Sequence, residues 1–146
     1  MTRRDAWLIL VPALLALGGC VSTYRALPGE ATARIDLTRV MEPEICLDGE
    51  IYRLRKDRDG YSEIPAGRRL VLRSRYYSQG YPASYVCSPA LGLQAQAGGR
   101  YLGNLELRND RCHLEVFRED AQGNGGLARE ASVDASARCV LRVMQD

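Results

Sequence analysis

The chain has 146 residues, 46% apolar and 26% charged, with a formal net charge of +2. That near-balance lacks the basic footprint of a nucleic-acid-binding protein, and the length suits one domain around one core. Lys56 is the only lysine and His113 the only histidine.

Arg3 and Arg4 precede an uncharged run from Ala6 to Leu17, broken only by Pro12. A basic head, a short apolar segment and a small-residue exit describe a secretory signal. The run falls short of the roughly 20 residues of a membrane-spanning helix. At its end, Leu17-Gly18-Gly19-Cys20 resembles the bacterial lipobox, in which a branched apolar residue and two small ones precede an obligatory cysteine. The resemblance implies a signal helix over residues 1–19 that is cleaved before Cys20. It further implies a diacylglycerol thioether on Cys20 and an acylated (palmitate-type) amine, and several acyl chains anchor a protein where one does not. Val21 stands where an aspartate would favour inner-membrane retention. The expectation is therefore a lipid anchor in the outer membrane, facing the periplasm or the surface. Residues 20–32 lack periodicity, contain Pro28 and Gly29, and read as a lipidated tether to a domain over 33–146.

From residue 33 the pattern is all-β. Ala33 to Leu37 alternates apolar and polar, the mark of a half-buried strand. Glu50 to Leu54 and Tyr61 to Ile64 flank an Asp59-Gly60 turn and read as a hairpin. Pro65-Ala66-Gly67 turns into a strand over 69–73. Tyr85 to Cys87 is a short strand, and Ala90 to Ala95 is extended. Arg100 to Arg108 and Cys112 to Arg118 read as strands joined at Asn109-Asp110. Residues 119–136, with Gly123 to Gly126, read as a loop, and Arg138 to Met144 as a last strand. No stretch keeps helical spacing for three turns. Seven or eight short strands describe a small β-sandwich or barrel.

With Cys20 given to lipid, Cys46, Cys87, Cys112 and Cys139 form an even set, which in an exported chain reads as two disulfides. The shortest loops come from sequential pairing, Cys46 with Cys87 and Cys112 with Cys139, and that pairing is expected. A zinc site fails on spacing, since there is no CxxC pair and one histidine, and no metal or cofactor is expected.

The stretch "IPAGRRLVL" (64–72), followed by "AGGRY" (97–101), is similar to small transthyretin-like or immunoglobulin-like domains of proteobacterial envelope lipoproteins. There, such turns introduce paired strands of a β-sandwich. The resemblance spans about residues 33–118 and implies a fold but little chemistry. Secretion-accessory lipoproteins with transthyretin-like domains suggest one version of the task, a place in a multiprotein complex.

Catalysis finds little footing. His113 lies in a strand with no G-x-S-x-G serine beside it in the sequence, and reads as a surface residue. Glu44, Asp48, Glu50, Glu106 and Glu115 are available as carboxylates, but nothing in the sequence pairs two of them. The Asp57-Arg58-Asp59-Gly60 run lacks the ligands of a calcium loop and reads as a turn. Arg53, Arg55, Lys56 and Arg58 read as facing water.

The most suggestive stretch is "RSRYYSQGYPASY" (73–85), where Tyr76, Tyr77, Tyr81 and Tyr85 crowd a segment with Arg73 and Arg75. Tyrosine offers a flat apolar face and a hydroxyl at low entropy cost, and arginine pairs with carboxylates and phosphates. Two readings remain open: rings that complete a small core, or a binding surface. The expected function is non-catalytic binding of another envelope component, a protein or alternatively peptidoglycan or another carbohydrate.

Overall fold

The computed structural model describes residues 21–80, 83–119 and 126–142. The signal segment, Cys20 and Tyr81 lie outside the described residues. In chain order the first strands are β1 (Ser22–Thr23), β2 (Thr32–Arg39), β3 (Glu44–Leu47) and β4 (Glu50–Arg53). Then come β5 (Tyr61–Pro65), β6 (Leu70–Arg73), β7 (Tyr76–Ser78) and β8 (Tyr85–Cys87). The remainder are β9 (Ala90–Leu93), β10 (Arg100–Arg108), β11 (Arg111–Glu119) and β12 (Leu127–Arg129). The described residues contain no helix, so the fold is all-β.

Alternation builds the sheets. In β2, Ala33, Ile35 and Leu37 are buried while Arg34 and Asp36 point the other way. One five-stranded sheet runs β1-β4-β3-β6-β9, a second runs β12-β11-β10-β2-β5, and β7 pairs with β8 alone. Ile45, Leu47, Leu70, Leu72, Leu91 and Leu93 of the first sheet share one core with Ile35, Leu37, Ile64, Tyr101 and Val116 of the second. This arrangement is consistent with a β-sandwich. Strand directions are mixed, because β2 lies parallel to β10 and β1 parallel to β4. The β2–β10 register shifts at Gly103, where an added Cβ would stand 2.5 Å from Leu37 Cδ2. Glycine lets the two strands close over the core there.

Several sequence expectations are corrected. The turn at Asp59-Gly60 forms, with Gly60 N donating to Asp57 O at 3.1 Å, but β4 and β5 belong to different sheets. The turn carries the chain from one sheet to the other. The hairpin partner of β4 is β3, closed by Asp48-Gly49, both at positive φ. The segment read as a tether contains β1, and Tyr24 packs against the core. The loop read over 119–136 contains β12.

No strand forms at residues 138–142. The chain from Val133 instead crosses the outer face of the first sheet as a strap. Asp134 and Gly92 exchange backbone hydrogen bonds of 2.8 and 3.0 Å, and Arg142 N donates to Gly49 O at 3.3 Å. Between these points Cys139 is bonded to Cys46, and the other disulfide joins Cys87 to Cys112. Sequential pairing is therefore wrong. Loop-closure entropy grows only logarithmically with loop length, so topology decides which cysteines meet. The strap passes over Cys46, and the β7–β8 hairpin lies against the turn end of β10 and β11.

Candidate functional site

The tyrosine stretch is neither wholly core nor wholly surface. Neighbouring residues of a strand face opposite ways, and β7 places Tyr76 and Tyr77 on opposite faces. Tyr77 stands directly opposite Val86, and Tyr76 opposite Cys87. Tyr77 is 51% exposed and Val86 73%. Tyr76, by contrast, lines a hollow of about 280 Å³ with Val40, Met41 and Leu105. Tyr85 is half-buried, and the Asp110 carboxylate beside it holds its phenol above the usual range.

A lone two-stranded hairpin is marginal in water, yet this one is fastened at its base and side. The buried Ser74 hydroxyl donates to the Met41 carbonyl at 2.5 Å, and Ser74 N donates to Pro89 O at 3.1 Å. The Cys87–Cys112 bond then ties β8 to β11. The exposed Tyr77–Val86 pair is thus presented on a braced support, with exposed Arg75 beside it in the chain.

Arg73 and Arg75, read with the tyrosines, belong partly to a second place. Arg73 Nε lies 3.3 Å from Glu44 Oε2. Arg75 lines a cavity of about 290 Å³ with Glu42, Glu44 and Arg53. The sequence alone leaves Glu44 among carboxylates without a pairing and Arg53 as a residue facing water. Their convergence follows from strand register, because Glu44 is the direct partner of Arg53 on one side and of Arg73 on the other.

His113 is exposed, as expected of a surface strand residue. It shares a hollow of about 260 Å³ with Glu115 and Glu130. The Glu115 oxygens are already engaged by Arg108 at 3.0 Å and Arg129 at 2.8 Å. Glu130 accepts from Ser132 N at 3.0 Å. Among the described residues no carboxylate is hydrogen-bonded to His113.

A third cluster, also missed in the sequence, lies on the outer face of the second sheet. The guanidiniums of Arg34 and Arg100 sit 5.1 and 4.4 Å from the centre of the Tyr61 ring. Tyr61 donates to Glu119 at 2.5 Å, and Arg34 to Asp59 at 2.5 Å. The hydrogen bond to Glu119 raises the Tyr61 phenol, and the bond from Arg34 lowers the Asp59 carboxyl. Every member of this cluster is engaged, which explains its place as a brace of the 57–60 turn. Comparison with protein-family models, curated proteins and solved structures finds no match to this chain.

Proposed function

We propose that this chain is a lipid-anchored protein of the bacterial outer membrane. Its transthyretin-like or immunoglobulin-like β-sandwich binds another envelope protein without catalysis. The lipobox-like Leu17-Gly18-Gly19-Cys20 supports the anchor. The observation that carries the binding reading is the exposed Tyr77–Val86 pair on a disulfide-braced hairpin. An aromatic and an aliphatic side chain held rigidly in water are a ready anchor for a partner pocket, because little entropy remains to be lost on contact. Exposed Arg75, two residues before Tyr77 in the chain, adds a cation that can pair with a partner carboxylate.

The test is co-purification from solubilised envelopes with the chain and with a Tyr77→Ala/Val86→Ala double variant. The reading expects one protein to be retained by the parent chain and lost with the variant. Unchanged association of every envelope component would remove it. Saturable binding to purified sacculi that survives high salt and depends on Tyr77 would transfer the hairpin to peptidoglycan recognition.

A further inference from the structure

On the outer face of the first sheet, strand register places Thr23, Arg53, Glu44, Arg73 and Ala90 in one row across five strands. The next row holds Ile51, Cys46, Val71 and Gly92, and the strap lies over it. Beside the strap the charged row opens into the cavity lined by Glu42, Glu44, Arg53 and Arg75.

Glu44 is only 6% exposed although it is a carboxylic acid. Its Oε2 is closed off from solvent and ion-paired with Arg73 Nε at 3.3 Å, without a hydrogen bond among the described residues. A carboxylate held by one cation alone keeps unused acceptor capacity. Glu44 nevertheless lines the cavity, and because Oε2 is closed off the oxygen left for an incoming donor is Oε1. Glu42 reaches the same space from an exposed turn.

The lining carries two carboxylates and two guanidiniums. A phosphate or other simple anion drawn to Arg53 and Arg75 would meet repulsion from Glu42 and from Glu44, whose charge Arg73 only partly offsets, and a bare cation would meet the two guanidiniums. A group with adjacent positive and negative ends satisfies both pairs, with charge-assisted hydrogen bonds to each.

We propose that this cavity binds an α-amino acid head group, its ammonium donating to Glu44 with Glu42 beside it, and its carboxylate accepting from Arg53 and Arg75. The site does not rest on the hairpin reading, with which it shares only Arg75.

The experiment is an NMR titration of the intact, disulfide-bonded chain with three probes: alanine, N-acetylalanine and alaninamide. Alanine is expected to shift the Arg53 and Arg75 side-chain signals saturably. Each capped probe, missing one charge-assisted partner, is expected to bind at least about tenfold more weakly. Glu42→Gln and Arg75→Gln, at the exposed rim, are expected to weaken alanine by at least about tenfold as well. Glu44→Gln carries the same expectation, and the rim variants stand in for it if the buried substitution does not fold. A muropeptide bearing a diaminopimelate head group separates two sources of the same chemistry. Tighter binding than alanine assigns a cell-wall peptide, and equal binding assigns a free amino acid. No saturable shift with alanine, or equal affinity for all three probes, overturns the proposal.

Discussion

Cys139 is bonded to Cys46, 93 positions earlier, and through that bond the end of the described chain is held across the outer face of a sheet. Cys46 on the outward side of β3 is thereby covered, and all four residues of the strand are buried. Peptide mapping without reduction should recover fragments joining Cys46 to Cys139 and Cys87 to Cys112. Fragments joining Cys46 to Cys87 would contradict the strap. Replacing Cys46 and Cys139 together by alanine should lower stability by about 2–4 kcal/mol, read from denaturant unfolding, because the bond closes a long loop.

The strap also rests on a glycine. A Cβ at Gly92 would stand 2.9 Å from the Ala137 Cβ and 3.3 Å from the Asp134 Cβ, both short and inflexible neighbours. Gly92→Ala should push the strap from β9 and weaken the paired hydrogen bonds with Asp134. The expected loss is about 1–3 kcal/mol. Hydrogen exchange at Gly92 and Asp134 should rise in the variant, with exchange in β10 and β11 little changed.

Much of this fold is legible in the residues, and what is not has a physical cause. β2, β10 and β11 announce themselves by alternation because each has one covered and one open face. β3 does not, because all four residues are buried: Ile45 and Leu47 face the core, Cys46 is bonded to the strap, and Glu44 lies against Arg73. The Asp48-Gly49 pair carries the same turn signal as Asp59-Gly60, and nothing in the local sequence tells which of the two joins paired strands. Within the tyrosine stretch, the split between Tyr76 and Tyr77 follows from their being neighbours in a strand. The Glu44–Arg53–Arg75 cavity was beyond reach, since it depends on which strands pair and in what register.

Tyr24 gives the chain a pH dependence with a definite sign. Burial first, then the nearby Glu30 carboxylate, push its phenol well above the ordinary tyrosine value. The folded state therefore keeps a proton that the unfolded state loses from about pH 10. Its contribution is fully present below that pH and is lost as pH rises through the folded-state value. Among the described residues the buried Tyr24 hydroxyl makes no well-formed hydrogen bond, with the Glu30 carboxylate beside it. Tyr24→Phe should thus leave stability at pH 7 within about 1 kcal/mol of the parent, or raise it. It should also lessen the fall in stability between pH 9 and 11. Denaturant unfolding across that range checks both, and an unchanged alkaline slope would contradict the assignment.

The anchor has its own check. Cys20→Ser removes the only proposed acyl acceptor, so fatty-acid labelling should disappear and the chain should leave the membrane fraction. Persistence of either the label or the membrane association would contradict lipid attachment at Cys20.

The most direct test of the binding account places a photo-crosslinking residue in turn at Tyr77, at Tyr76 and at the exposed Leu127 on another face, in cells carrying the full chain. The account expects one abundant protein adduct from Tyr77, little from the inward-turned Tyr76, and none of that adduct from Leu127. Adducts at Tyr77 no different from those at Leu127 would contradict the claim that the braced hairpin is a binding surface.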